Sequence, residues 1–257
     1  MFKSYVLKSK SFIDFLYMFI SNIIRKAFGF VREIILAYFF GSSMVYANFL
    51  LLKTAADLFS QLTQGSALQA SLLPNFSSLY EKGHKVSLSN VLVFSKNLAW
   101  KIFLVSQLIQ IPLVFYISPE NFCLFIMISL VLGVVISSNF FSSIFLIVIQ
   151  GKGHFKKFSI STTVDMFVST VLLYPLSLMF GVIGIAVSRV AGLGVLIYKY
   201  FTPIFNETEG DKISFGMKDI NLSIMLLGNF ANLIMSLSRF VVGFHARADS
   251  YTHICAH

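Results

Sequence analysis

The sequence predicts an all-α, polytopic membrane protein with about seven transmembrane helices, and three observations carry that reading. Charged residues make up only 12% of the chain and hydrophobic residues 56%, where a soluble domain carries about 25% charged residues. Mean hydropathy is +0.80. The apolar residues fall in runs of the roughly 20 residues that a helix needs to cross a bilayer. A β-barrel would alternate apolar and polar residues over about ten positions, whereas Phe122 to Ile136 is almost uniformly apolar.

The runs, in order, are Phe12 to Phe40, Val45 to Phe76, Leu92 to Ile117, Phe122 to Ile149, Phe158 to Phe180, Val182 to Tyr200 and Ile220 to Phe244. Lys3, Lys8 and Lys10 precede the first as they would a signal peptide. No small-residue cleavage site follows, so the region reads as a retained first span. The second run is the most interrupted by polar residues. Gly29, Gly41, Pro74, Pro112 and Pro175 mark places where helices kink or end.

The connections alternate in charge. Lys82, Lys85 and Lys96 lie between or beside runs two and three, Lys152, Lys156 and Lys157 between four and five, and Lys199, Lys212 and Lys218 around the connection between six and seven. The connections at Gly41 to Met44, Ser118 to Asn121 and Phe180 to Gly181 contain no Lys or Arg. Cytoplasmic connections collect basic residues, so the N-terminus is expected in the cytoplasm. The same rule explains the net charge of +9 without nucleic acid, since the basic residues sit at span ends and not in one patch.

Charges inside the runs point to function. Arg25, Lys26, Arg32 and Glu33 all lie in the first, with Arg25 and Arg32 on one helical face and Lys26 and Glu33 on the neighbouring one. Each would cost at least ~2.5–3.5 kcal/mol at mid-bilayer unless paired or wetted. Lys53, Asp57, Ser60, Gln61, Gln64 and Ser71 form a polar face on the second, with Lys53 and Asp57 spaced as an i, i+4 ion pair. Two polar helix faces predict a shared aqueous cavity. Elsewhere Asp165, Arg189 and Arg239 stand isolated in apolar runs. The cations Arg25, Lys26, Arg32, Lys53, Arg189 and Arg239 outnumber the acids Glu33, Asp57 and Asp165, which favours an anionic substrate.

Enzyme chemistry is not expected. No phosphate loop, GxSxG or HExxH is present, and Gly151-Lys152-Gly153 lacks the rest of a Walker motif. His245, His253, Cys255 and His257 read as a short polar terminus in place of a metal site, and no cofactor is implied. Cys123 reads as a small buried hydrophobe.

From Gly29 the chain reads Gly29-Phe30-Val31-Arg32-Glu33, then Ala37, then Phe40-Gly41-Ser42-Ser43, followed by a helix ending at Pro74 with Tyr80 beyond. This resembles the start of the MurJ (MviN) proteins, lipid II flippases of the multidrug/oligosaccharidyl-lipid/polysaccharide exporter superfamily. The segment Gly184 to Gly192 is similar in a less specific way, and the clear resemblance covers about Ile24 to Tyr80. It implies the N-terminal lobe of a fourteen-helix protein that moves an undecaprenyl-pyrophosphate-linked sugar across the inner membrane by alternating access. Residues 1–205 would form the six-helix lobe, and 206–257 a cytoplasmic loop with the first helix of a truncated second lobe. The tail from His245 falls where an eighth helix would begin and is too polar and short to be one. The implied partners are the lipid-linked glycan, membrane lipids and other cell-wall synthesis proteins.

By this resemblance Arg32 and Glu33 match the family's cavity arginine and the acid after it, and Lys26 an earlier arginine. With Arg25, Lys53, Asp57 and Gln61 they are the expected substrate-binding residues. The sequence departs from the family at Ala47-Asn48, where an aspartate is usual, and at Ser60-Gln61, where arginine is usual. A flippase for another polyprenyl-linked polysaccharide unit therefore stays open, as does an ion-coupled multidrug antiporter of the same superfamily.

Overall fold

The computed structural model describes residues 2–41, 43–63, 66–82, 88–117 and 119–201, with isolated positions at 230, 234, 237, 238 and 241. The seventh predicted span, most of the 206–257 segment, Arg239 and the histidine tail lie outside the described residues.

In lipid every backbone N–H and C=O must be satisfied within the segment, which leaves apolar runs one solution, the helix. The chain forms α1 (Phe2–Phe40), α2 (Met44–Thr63), α3 (Ser66–Glu81), α4 (Leu88–Ile117), α5 (Phe122–Gly151), α6 (Phe155–Phe180) and α7 (Val182–Leu196), which ends in a π-helical turn, Ile197–Phe201. Four of these stretches, Ser89–Ile117, Phe122–Gly151, Phe155–Phe180 and Val182–Phe201, are long and apolar enough to cross a membrane. The charges on α1 and α2 keep those helices out of that set. The second predicted span falls into two described helical stretches, α2 and α3, on either side of residues 64 and 65. Helix α6 runs on through Pro175, α4 through Pro112 and α3 through Pro74.

Helix α5 is the hub. It packs against α2, α3, α4, α6 and α7, which is why it is apolar on all sides, with a mean hydropathy of 2.3. Phe125, Ile128, Phe140, Ile144 and Phe145 on α5 are fully buried, and Phe145 packs against Phe201 with ring centroids 4.9 Å apart and ring planes tilted by 33°. Polar side chains tie helices together within this apolar surround. Gln107 of α4 donates Nε2–H to the Ser129 carbonyl at 3.0 Å and accepts from the Ser129 hydroxyl at 3.1 Å. Gln69 of α3 donates to Gln150 of α5. On α1, Ser21 donates its hydroxyl to the Ser159 carbonyl at 3.0 Å and lies 2.7 Å from the Thr163 hydroxyl on α6.

Small residues set the closest helix approach, as is usual without a hydrophobic drive between helices in lipid. A Cβ at Gly184 would strike the Leu176 backbone, and one at Gly192 would lie 2.7 Å from the Asp165 carbonyl. The α6–α7 turn is the single residue Gly181, at φ +58 and ψ −134, a conformation open essentially to glycine alone.

Cys123 is exposed on the first turn of α5. The expectation of a buried position fails because the buried stripe of α5 begins at Phe125. The turn at residues 119–121 and the basic connection around Lys152 sit at opposite ends of α5. With Cys123 and Cys255 replaced by serine, Glu120→Cys is expected to react with a membrane-impermeant maleimide added outside, and His154→Cys to stay unlabelled until the membrane is opened. The reverse pattern would invert the orientation.

Candidate functional site

Helical spacing brings one face from each of four helices to a common cavity of about 360 Å³. Gly29, Arg32 and Glu33 come from α1, Phe49, Lys53, Ala56, Asp57 and Ser60 from α2, Leu132, Val135, Ile136 and Asn139 from α5, and Ile185, Ala186 and Arg189 from α7, with Met166 added by α6. The spacings i, i+3, i+4 and i+7 are those of a single helical face. The polar face read on α2 is thus the face turned to the cavity.

Of the predicted site residues, Arg32, Glu33, Lys53 and Asp57 line this cavity. Arg25, Lys26 and Gln61 are not among its lining residues. Arg25 and Lys26 are exposed nearer the N-terminal end of α1, and Gln61 is half-buried near the C-terminal end of α2. Two polar lining residues, Arg189 and Asn139, lie outside the polar faces that the sequence marks on α1 and α2. Arg189 stands alone among apolar residues in α7, and Asn139 is a carboxamide in the most apolar helix. Each signal was visible, but which face of α5 and α7 turns inward depends on packing.

The charges are mostly paired. Arg189 Nη1 donates to Asp165 Oδ2 at 3.0 Å, with the Asp165 side chain 10% exposed. Lys53 Nζ lies 3.8 Å from Asp57 Oδ2, close enough for an ion pair and too long for a good hydrogen bond. Arg32 differs: its Nη2 donates to a neutral partner, the Ile185 carbonyl on α7, at 3.2 Å. Glu33 follows it on the helix and points about 100° away. A guanidinium has five donors, so Arg32 retains capacity for an anion. The expected excess of cations is therefore smaller in the cavity than along the sequence. Lys53 and Arg189 are matched by carboxylates, as low polarity requires; with Glu33 also at the cavity the three cations meet three carboxylates, and Arg32 is the cation whose hydrogen bond goes to a neutral group. Among the described residues no group of three or more His, Cys, Asp or Glu gathers to hold a metal ion.

No protein-family model matches the sequence, and no curated protein matches it. Solved structures do match in fold. One is a MOP superfamily transporter from Pyrococcus furiosus, for which reverse polarity of the binding pocket is described as suggesting a different function. It shares 15% identity at a TM-score of 0.51, over 89% of this chain and 52% of its own. Another is a multidrug resistance MATE family transporter of the MOP superfamily in an outward-facing conformation, at 16% identity and a TM-score of 0.50, over the same shares. This chain spans about half the length of each. The likeness is one of fold: an all-α membrane protein whose helices are arranged as in about half of a MOP superfamily transporter.

Proposed function

We propose that this chain is one lobe of a membrane transporter that moves an anionic, polyprenyl-pyrophosphate-linked glycan between leaflets by alternating access, with lipid II as the leading substrate. The observation that carries this reading is the position of Arg32. It sits mid-helix on α1 at a cavity inside a helical membrane protein, and its guanidinium bonds to a neutral carbonyl in place of a carboxylate. A guanidinium grips phosphate oxygens with two parallel hydrogen bonds, and an intramembrane cation is a functional feature by default. The resemblance around Gly29 to Tyr80 supports the same substrate class. The cavity of about 360 Å³ is at the low end for ligand pockets. It suits a pyrophosphate head, and the sugars would need the room that a second lobe adds.

A second reading is favoured by a specific observation: Glu33 and Asp57 share the cavity with apolar Phe49, Leu132, Ile136 and Met166, a setting that also fits an ion-coupled multidrug antiporter. Depleting the chain's own gene in its host separates the two. The flippase reading expects total lipid-linked precursor to rise while the outer-leaflet pool, read on intact cells with an impermeant glycan probe, falls, with cationic drug retention unchanged. Unchanged precursor together with raised drug retention would reverse the choice.

A further inference from the structure

We infer that the chain carries a second ligand site, outside the central cavity: an interfacial groove between α4 and α5 that holds the phosphate of an anionic phospholipid. The groove measures about 650 Å³ and is lined by Lys96, Trp100 and Lys101 of α4 and by Ser137, Ser138 and Phe141 of α5, among others, none of them acidic.

Depth places these residues at one membrane surface. Helices α4 and α5 run antiparallel from a common turn at residues 119–121. Counting back from Ile117 at ~1.5 Å per residue puts Lys101 ~24 Å and Lys96 ~32 Å from that turn. Ser137 and Ser138, counted forward from Phe122, lie ~23–24 Å away, level with Lys101. Against a hydrocarbon core of ~30 Å, Lys96 stands at the headgroup boundary and Lys101 a few ångströms inside it, within snorkelling reach. Two cations, two hydroxyls and an indole therefore converge where a lipid phosphate resides.

The indole belongs to the chain's single tryptophan. Trp100 is 61% exposed, stacks on Phe103 with centroids 5.4 Å apart and ring planes 17° from parallel, and occupies the amphipathic layer that tryptophan favours. Below it Phe103 and Val134, ~21 Å and ~18 Å from the turn, give an apolar floor for acyl chain. Ser137 donates its hydroxyl hydrogen to the Gly133 carbonyl at 2.9 Å, so Ser138 is the hydroxyl of this pair placed to donate to a phosphate oxygen. Lysine snorkelling by itself needs no groove and selects no lipid class. A basic pocket with an aromatic wall at the headgroup level does select, by charge. The occupant is thus a membrane phospholipid of net negative charge, on the leaflet at the Leu88 end of α4.

Trp100 reports directly on that occupant. In nanodiscs of zwitterionic lipid, brominated phosphatidylglycerol and brominated phosphatidylcholine would each be titrated against the tryptophan fluorescence of the full chain. Each lysine near the surface contributes about fivefold, so the anionic lipid is expected to reach half-maximal quenching at a mole fraction up to about thirtyfold lower at low salt. The Lys96→Ala, Lys101→Ala double variant should lose that preference while quenching by phosphatidylcholine stays as before, which shows the fold is intact. Lys101→Arg should keep it. Inorganic phosphate should not compete, which separates a lipid headgroup from a free anion. Equal quenching by both lipids in the unaltered protein would overturn the proposal. So would competition by free phosphate, or a Trp100 that neither lipid reaches because protein covers the face.

Discussion

Arg32→Ala is expected to abolish transport while leaving a protein that still inserts and accumulates. Removing one partner of a buried, hydrogen-bonded charge pair costs about 2–5 kcal/mol, and for a substrate anion that loss falls on binding and translocation. The structural share of Arg32 is smaller. Its one hydrogen bond among the described residues goes to the Ile185 carbonyl, an acceptor already placed inside a helical ladder, and a hydrogen bond from a charged group contributes about 1.5–3 kcal/mol. Arg32→Lys should recover only part of the activity, since an ammonium keeps the charge and loses the planar fork. Flipping measured in cells that rely on this protein, with abundance followed by blotting, tests both. If Arg32 served only to neutralise Glu33, the double variant Arg32→Ala, Glu33→Ala would recover transport. The geometry argues otherwise, because the Arg32 guanidinium donates across to the Ile185 carbonyl of α7, although Glu33 lines the same cavity. Recovery in that double variant would remove Arg32 from the substrate site.

The fold class was legible because hydropathy and loop charge are local properties. Runs of apolar residues give helices wherever water is absent, and α4 to α7 fall where their runs do. The site was half legible. The polar stripe on α2 could be traced from its spacing, since Lys53, Asp57 and Ser60 repeat on a helical face. Arg25 and Arg32 share that spacing on α1 too, yet only Arg32 reaches the cavity. They stand seven residues apart, ~10 Å along the axis, and sequence gives no depth at which a cavity ends. Arg189 and Asn139 could be seen only as isolated polar residues. Their direction depends on how α5 and α7 turn against their neighbours, which is set by long-range contacts such as Gly184 against Leu176 and Gly192 against Asp165. Lys101 gains a role only because α5 sets Ser137 and Ser138 level with it, and Lys96 because it lines the same groove.

Asp165→Ala is expected to destabilise the protein severely, and the reason lies in how tightly its pair with Arg189 is enclosed. Asp165 Oδ2 accepts from Arg189 Nη1 at 3.0 Å, and the carboxylate side chain is 10% exposed against 28% for the arginine. The pair joins α6 to α7, the two helices in closest contact, and Gly192 keeps clear the space beside Asp165, since a Cβ there would lie 2.8 Å from Oδ1. Breaking such a pair by removing one member costs about 3–5 kcal/mol, because the remaining charge stays buried without compensation, whereas replacing both by apolar groups of similar volume is often neutral. The double variant Asp165→Ala, Arg189→Met should therefore regain most of the thermal stability in detergent that Asp165→Ala loses. Transport should not return with it, because Arg189 lines the cavity. A single variant as stable as the unaltered protein, or a double variant no better than the single, would show that the α6–α7 contact is held by packing and not by this ion pair.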